Sequence, residues 1–269
     1  MIKIAVLGAT GRMGQALVRL IAADDGLELV GAATEPGHDV VGQDAGVAAG
    51  AGVSGVSITD DVNAALGDSQ VVIDFTLPAA ASANISACVE NGVALVMGTT
   101  GLSSGQQAEL QEAGTRIGVV YARNMSVGVN VLTELVSLAS QALGTDYDIE
   151  ITEAHHRNKV DAPSGTALQL GETVARVRGQ TLDELAVYAR HGESSARAPG
   201  TIGFASIRAG SIVGEHTVMF ATDEEIIELR HRALDRQVFA RGALRAAHWL
   251  SGQPAGLYSM NDVLGLQGP

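Results

Sequence analysis

The sequence has a single cysteine in 269 residues, few aromatic side chains and no long apolar run. The lone Cys88 excludes a disulfide within the chain and a metal cluster built on cysteine ligands. Its place in a helix-like segment predicts a small, buried apolar side chain. No apolar segment approaches the roughly 20 residues that span a bilayer, and the first residues lack the flanks of a signal peptide. These absences favour a soluble, cytoplasmic protein without a membrane partner.

Basic charge is also scarce, since 17 lysines and arginines face 30 acidic side chains and give a net charge of −13. A nucleic-acid partner is therefore not expected, because it requires a basic surface. An anionic substrate would need a local cationic pocket. Aromatic residues make up only 3% of the chain, so small aliphatic side chains and glycine must fill the core. That composition suits an α/β layered protein.

Strand-like and helix-like segments alternate through the first half of the chain. Residues 3–8 form a continuous apolar run, apolar side chains then recur at helical spacing, and residues 27–33 form another strand-like run. The alternation continues with strand-like runs at 71–76, 93–100 and 117–124. Strands separated by helices predict a parallel sheet with right-handed crossovers, which is a Rossmann-type domain.

The second half has a different pattern. A long amphipathic helix, an alternating strand that ends in two histidines and a further helix precede three strand-like runs between 201 and 233. We therefore expect a C-terminal α+β domain with a mixed sheet spanning residues 127–236. Residues 1–126 together with 237–269 are expected to form the dinucleotide-binding domain. The half-apolar strands suggest that one sheet face is buried against another subunit.

The segment GATGRMG places Gly8, Gly11 and Gly14 between the first strand and the first helix. Glycines and a helix N-terminus let a pyrophosphate approach backbone N–H groups. The spacing only approximates the usual G-x-G-x-x-G fingerprint, but Arg12 is placed to meet a phosphate. Glu35 ends the second strand-like run, where an acidic side chain binds adenosine ribose hydroxyls. We expect dinucleotide binding here.

The residues after Glu35 bear on the choice of cofactor. Pro36, Gly37 and His38 follow, with no arginine or lysine close by. A 2′-phosphate requires an adjacent cation and would be repelled by the glutamate. We therefore expect NADH to be preferred over NADPH, or at least to be fully used.

Two further loops follow later strands of the same sheet, at residues 97–101 (MGTTG) and 122–126 (ARNMS). Ligands of such sheets lie beyond the carboxyl ends of the strands, which would place these loops near the nicotinamide. Their spacing fits ordinary turns equally well.

The segment EAHHRNKVDAPSGTA concentrates positive and titratable groups in an acidic protein. A metal site is not expected, because His155 and His156 would point to opposite faces of a strand and no H-E-x-x-H motif or cysteine partner exists. A solvated basic patch is the usual alternative. Against it, residues 161–163 enforce an extended approach to a helix that opens with Ser-Gly-Thr. Such a helix start beside Lys159 and two imidazoles favours acid–base chemistry on a carboxylated substrate.

These segments, together with DFT, SVGVN and GEHTVMF, closely resemble the dihydrodipicolinate reductase family of lysine and diaminopimelate biosynthesis. The motifs run in order over nearly the whole chain, and the His-His segment is the specific one. The resemblance implies reduction of a cyclic, unsaturated dicarboxylate by NADH or NADPH to give tetrahydrodipicolinate. It further implies hydride transfer to the ring, protonation of the resulting carbon, and a homotetramer formed through the C-terminal domains.

The resemblance also implies roles for individual residues. His155 matches the general acid/base and Lys159 the second catalytic residue. The positions that match substrate-carboxylate binders are His156, Lys159, Ser164, Gly165 and Thr166. The positions that match cofactor contacts are Gly8, Ala9, Thr10, Gly11, Arg12, Met13, Glu35, Gly98, Thr99, Thr100, Ala122, Arg123, Asn124 and Met125.

Two positions depart from the family pattern. Pro36 stands where many members carry an arginine, which puts NADPH use in doubt, and Met125 stands where many carry an aromatic residue. Two other functions stay open: a different two-domain dehydrogenase, such as a semialdehyde dehydrogenase, and a regulator that senses NAD(P) without turnover. The first needs a nucleophilic cysteine, and the second needs no His-His-Lys cluster.

Overall fold

The alternating segments of the chain form twelve strands and ten helices in a computed structural model that describes residues 1–193 and 195–266. The strands are β1 (Ile2–Leu7), β2 (Leu27–Ala33), β3 (Ile58–Thr59), β4 (Val71–Asp74), β5 (Ala94–Met97), β6 (Gly118–Tyr121), β7 (Asp148–His155), β8 (Ala186–Val187), β9 (Ile202–Arg208), β10 (Gly214–Ala221), β11 (Ile226–Ala233) and β12 (Gly256–Tyr258). The helices are α1 (Arg12–Ala22), α2 (Ala45–Ala49), α3 (Val62–Leu66), α4 (Pro78–Asn91), α5 (Ser104–Ala113), α6 (Val127–Leu143), α7 (Gly165–Val177), α8 (Leu182–Leu185), α9 (Gln237–Leu250) and α10 (Met260–Leu264).

The chain divides into two compact units, and the first contains a parallel sheet. This unit comprises Met1–Val127 and Gln237–Gly265. Its strands lie in the order β12-β6-β5-β4-β1-β2-β3, and each neighbouring pair is parallel. The strand order reverses between β1 and β4, so the loops that follow these strands open away from each other. Open α/β sheets bind ligands at such a point. The predicted Rossmann-type sheet is confirmed.

Helices cover both faces of this sheet. Ile4 and Val6 point into a core shared with α1 and α9, whereas Ala5 and Leu7 point into a core shared with α4 and α5. Successive side chains of a strand face opposite ways, so burial on both faces explains why the strands read as unbroken apolar runs. In β4 all four residues are buried.

The second unit, Gly128–Arg236, contains the mixed sheet that the sequence predicts. Its strands lie in the order β11-β10-β7-β9-β8. The pairs β7–β9 and β8–β9 are parallel, and β10 pairs antiparallel with both β7 and β11. One sheet face packs on α6 and α7 through a core that includes Val136, Ile151, Val174 and Phe220.

The short elements were not predicted. Each of α2, α3, α8, α10, β3, β8 and β12 has five residues or fewer, which is too short for a periodic pattern. Among the helices of the described residues, none combines the length and the apolar character that crossing a bilayer requires.

Gly31 is a point at which strand β2 and helix α3 touch. A Cβ atom at Gly31 would lie 1.7 Å from the carbonyl oxygen of Ala65. We expect Gly31→Ala to lower the free energy of unfolding by about 1–3 kcal/mol, because the backbone must move to remove the overlap. Urea unfolding followed by circular dichroism measures the change.

Gly105→Ala is the matched control. A Cβ at this exposed position of α5 would meet only the Ser103 hydroxyl, at 3.8 Å, so the change should be neutral or stabilising by up to about 1 kcal/mol. Equal unfolding midpoints for wild type and Gly31→Ala would contradict the close approach of β2 and α3.

Candidate functional site

In the first unit, the glycine segment forms a tight loop between β1 and α1. Gly8 has a φ of +76°, a conformation that L-residues rarely adopt. A Cβ at Gly14 would lie 2.1 Å from the Gly8 carbonyl oxygen, so the helix can approach the loop only with glycine there. The N–H of Ala9 donates to the carbonyl of Ala33 at 2.8 Å and fixes the loop against the end of β2.

The first turn of α1 is suited to an anion. Its N-cap is Gly11, which has no side chain to accept from the N–H groups of this turn. The 11-residue helix adds the positive end of its dipole. Arg12 is exposed and Met13 half-buried at this end. A pyrophosphate therefore fits these residues.

The acidic position predicted to meet the ribose lies beside the same loop. The hydroxyl oxygens of Thr10 and Thr34 are 2.7 Å apart, which ties the glycine loop to the residue after β2. Glu35 comes next and is exposed. Glu35 thus follows directly after a residue that contacts the loop, and its role toward a ribose stays a prediction.

A buried carboxylate fixes the loops after β4 and β5. Asp74 is fully buried and accepts from the amide of Asn84 at 2.8 Å and from the hydroxyl of Thr99 at 3.3 Å. The Thr99 hydroxyl also donates to the Thr76 carbonyl at 3.1 Å. The side chain of Thr99 is therefore used inside the protein, whereas Thr100 is exposed. At Gly98, a Cβ would lie 2.4 Å from the Phe75 ring.

The residues of the segment after β6 differ in their exposure to solvent. Arg123 is exposed, Ala122 and Asn124 are half-buried, and the side-chain oxygen of Asn124 accepts from the N–H of Ser126 at 2.9 Å. Met125 is 2% exposed and belongs to the core that α9 covers. Its side chain packs inside the first unit.

In the second unit, His155 is the last residue of β7 and forms the centre of a buried polar cluster. Its Nδ1 lies 2.5 Å from Oε2 of Glu153, two residues earlier on the same face of the strand. Arg208, which pairs with His155 in the β7–β9 register, donates to both oxygens of Glu153 at 2.7 and 2.8 Å. The backbone N–H of Ser164 also donates to Glu153, at 3.2 Å.

The pKa values of this cluster follow from burial and pairing. Burial alone would raise the pKa of Glu153, but hydrogen bonds from Arg208 and His155 lower it to about 2. Burial lowers the pKa of His155 below its ordinary value, and the contact with the Glu153 carboxylate opposes that change. Glu153 is thus ionised at neutral pH, whereas the net lowering of its pKa favours the neutral form of His155.

Lys159 and His156 lie beyond the end of β7. The Nζ atom of Lys159 is 2.8 Å from Oδ2 of Asp161, and its N–H donates to the His156 carbonyl at 3.1 Å. His156 is half-buried. The lysine side chain thus contacts the segment that leads into α7.

The Ser-Gly-Thr segment opens α7, as expected. Ser164 is its N-cap, and the hydroxyl accepts from the N–H of Ala167 at 3.2 Å. The same hydroxyl lies 3.0 Å from Nε2 of His216, so it already has a hydrogen-bond partner inside the protein. Gly165 is exposed with open space around it, and Thr166 is half-buried. The 13-residue α7 thus presents its N-terminal N–H groups at Gly165.

Sequence reasoning missed three members of this cluster. Glu153 lies two residues before His155, and this i, i+2 spacing on a strand is the signal that could have placed both side chains on one face. His216 lies on β10, and its ring centroid is 5.1 Å from that of His155. Burial, with the neighbouring His155 adding to it, lowers the pKa of His216 to about 3. Arg208 carried no sequence signal, because only the pairing of β7 with β9 places it.

Comparison with known proteins points the same way. Two family descriptions match, "Dihydrodipicolinate reductase, N-terminus" over residues 2–125 and "Dihydrodipicolinate reductase, C-terminus" over residues 128–264. The 4-hydroxy-tetrahydrodipicolinate reductase of Thiobacillus denitrificans is 52% identical over 99% of both chains. That of Alkalilimnicola ehrlichii is 53% identical over 98% of this chain and 99% of the relative.

A solved structure shows the same fold. The dipicolinate-bound dihydrodipicolinate reductase from Paenisporosarcina sp. TG-14 superposes with a TM-score of 0.75 at 23% identity, covering 96% of this chain and 97% of that one. Matches over both halves and the identity to full-length relatives settle the family. The chain belongs to the dihydrodipicolinate reductase family, and it is an NAD(P)-dependent oxidoreductase.

Proposed function

We propose that this protein is a 4-hydroxy-tetrahydrodipicolinate reductase, which reduces a cyclic, unsaturated dicarboxylate to tetrahydrodipicolinate in lysine and diaminopimelate biosynthesis. Curated relatives of about half-identical sequence carry that name over their whole length, and the related structure from Paenisporosarcina holds dipicolinate. The observation that carries the proposal is the buried His155 cluster next to Lys159 and the first turn of α7. The cytoplasmic location stays a prediction.

The first unit would hold the dinucleotide through the glycine loop, the first turn of α1 and Glu35. Bound NADH or NADPH supplies the hydride. The second unit would supply the proton from the imidazole of His155, assisted by Lys159. This buried histidine suits the role, because burial lowers its pKa while the Glu153 carboxylate opposes that change.

The substrate is a dianion, and burial of its carboxylates is costly unless they are paired and hydrogen-bonded. The protein has a net charge of −13, so pairing must come from local cations. Lys159, His156 and the start of α7 at Ser164, Gly165 and Thr166 would provide it. A substrate carboxylate would take the place that Asp161 now holds on Lys159.

The two other functions are less well supported. A semialdehyde dehydrogenase needs a thiolate, but Cys88 is fully buried, and burial with the nearby Asp74 charge raises its pKa to about 12. A non-catalytic NAD(P) sensor does not require the His155 cluster. A spectrophotometric assay that follows NADH or NADPH loss with freshly made substrate separates the three functions.

Substitution of His155 or Lys159 tests the catalytic assignment. We expect His155→Ala and Lys159→Ala each to lower kcat by about 10²–10⁴-fold, the range typical of acid–base groups, in the NAD(P)H assay. His248→Gln is the control, because His248 is an exposed histidine of the first unit that pairs with Asp24 at 3.5 Å. Near wild-type turnover in both single variants would remove these roles.

The cofactor preference rests on Glu35. We propose that NADH is used at least as efficiently as NADPH, because the exposed carboxylate would repel a 2′-phosphate. Glu35→Ala should lower kcat/KM for NADH and raise the ratio of NADPH to NADH efficiency. Asp39→Ala, a nearby exposed acid, should leave this ratio in place. A wild-type enzyme that strongly favours NADPH would overturn the preference.

We also propose a homotetramer formed through the second unit. The sheet face opposite α6 and α7 carries half-buried side chains on β10 and exposed ones on β11, with Ile207 and Ile226 more than half exposed. An apolar and polar mixture on a broad sheet face is typical of a subunit interface. This sheet face is therefore the surface through which we expect the subunits to associate, in agreement with the sequence pattern and the family resemblance.

Thr217→Arg tests this interface, because Thr217 lies on that face directly across from Arg230. Sedimentation should give four times the chain mass of 27.6 kDa for wild type and a smaller assembly for the variant, since a bulky charged side chain would be buried in the interface without a partner. Gln111→Arg on the exposed side of α5 is the control. A monomeric wild type would contradict the proposal.

A further inference from the structure

The Glu153 carboxylate that contacts His155 is held in place by other residues. Glu153 has a side chain only 1% exposed, and both of its oxygens accept from Arg208. Arg208 is itself fixed, since it also donates to the carbonyls of Ile207 and Asp161. The carboxylate is therefore held in one place by the strand beside it and by the loop before α7, independently of His155.

An ionised carboxylate only accepts hydrogen bonds. Nδ1 of His155 lies 2.5 Å from Oε2 of Glu153, so Nδ1 must carry the hydrogen in this contact. Nε2 is then the ring atom that can gain or lose a proton. The tautomer of a histidine is set in this way by the partner of its other nitrogen.

We propose that Glu153, held by Arg208, is a positioning residue that keeps a hydrogen on Nδ1 of His155 and makes Nε2 the proton-exchanging atom. The part of this inference that concerns turnover rests on the proposed reductase function. Orientation by a buried carboxylate is the role that the third group plays in many acid–base sites.

The surroundings of Nε2 agree with this assignment. Gly214 on β10 lies beside it, and a Cβ there would be only 3.2 Å from Nε2. Glycine at this position thus leaves room at the nitrogen that must be reached. The charged and titratable groups that face the ring are Glu153 from β7, Arg208 from β9, His216 from β10 and Lys159 from the following turn. Of these, only Glu153 favours the protonated ring.

The direct test is nitrogen-15 NMR of histidine-labelled protein, assigned with a His155→Asn sample and titrated with pH. Neutral His155 in wild type should carry its hydrogen on Nδ1. In Glu153→Gln the uncharged amide no longer favours the imidazolium, so the pKa of His155 should fall and the tautomer should become mixed. An Nε2–H tautomer in wild type would overturn the proposal without any variant.

The kinetic test uses the same variant. We expect kcat of Glu153→Gln to fall by roughly 10- to 100-fold, the scale seen when the hydrogen-bond partner of a metal-bound histidine is removed, with KM changed far less. The limb of the pH–kcat profile on which activity is lost as pH rises should move to lower pH, because the acid form of His155 is lost earlier. If both kcat and the pH at which activity is lost were unchanged, Glu153 would have no positioning role.

Glu153→Gln leaves the charge of Arg208 without its partner, which can cost stability. The double variant Glu153→Gln/Arg208→Gln removes both charges and must still lower the pKa of His155, but by less than Glu153→Gln does, because Arg208 itself lowers that pKa. Glu150→Gln is the matched control: Glu150 lies on β7, accepts from Arg190 and Arg197 at 3.0 and 3.1 Å, and faces away from His155. The Glu150→Gln variant should leave the titration of His155 and the pH dependence of kcat unchanged.

The proposed reductase function and the positioning role of Glu153 can be tested separately. If wild type does not oxidise NADH or NADPH with the dicarboxylate, the proposed function is wrong, and the NMR titration still decides the contact. If wild type is active but Glu153→Gln and the double variant both titrate as wild type does, the positioning role is wrong and the function stands.

Discussion

A buried negative charge on Glu153 organises the second unit. A carboxylate removed from water is costly unless its lone pairs are filled, and here Arg208 fills two of them while Ser164 and His155 fill the others. Through these bonds one side chain connects β7, β9 and the start of α7. Loss of the carboxylate would therefore act on the placement of three elements as well as on the histidine.

The first unit also contains a buried, hydrogen-bonded carboxylate, but its partners are neutral. Asp74 at the end of β4 is fully buried and accepts from Asn84, Thr99 and the N–H of Thr76. These bonds hold the loops at the carboxyl edge of the sheet, where a dinucleotide is expected. Rigid loops at that edge suit a protein that must present backbone N–H groups to a pyrophosphate at fixed positions.

The long elements and most of the candidate site could be predicted from the sequence, because they depend on local patterns. The spacing of Gly8, Gly11 and Gly14 and the continuous strands before them identify the parallel sheet and its loop. The alternation before His155 identifies β7, and Ser164 was predicted as a helix start from its chemistry alone. Each of these signals lies within a few residues along the chain.

The remainder depends on pairing across long distances. Arg208 reaches Glu153 only because β9 lies parallel to β7, and Met125 is buried only because α9 returns to cover it. Neither relation leaves a period or a motif. The strand β12 has three residues and joins β6 from the far end of the chain, which no local propensity specifies.

The return of α9 to the first unit has a consequence for synthesis. Ala243 and Ala247 of α9 pack in the same core as Leu17 of α1, yet more than 200 residues separate them along the chain. A ribosome delivers the glycine loop and its sheet early, so one apolar face stays open to water until α9 emerges. During that interval the nascent chain is prone to aggregate, and the mixed sheet of the second unit, which lies wholly between the two parts of the first, is made before the first is closed.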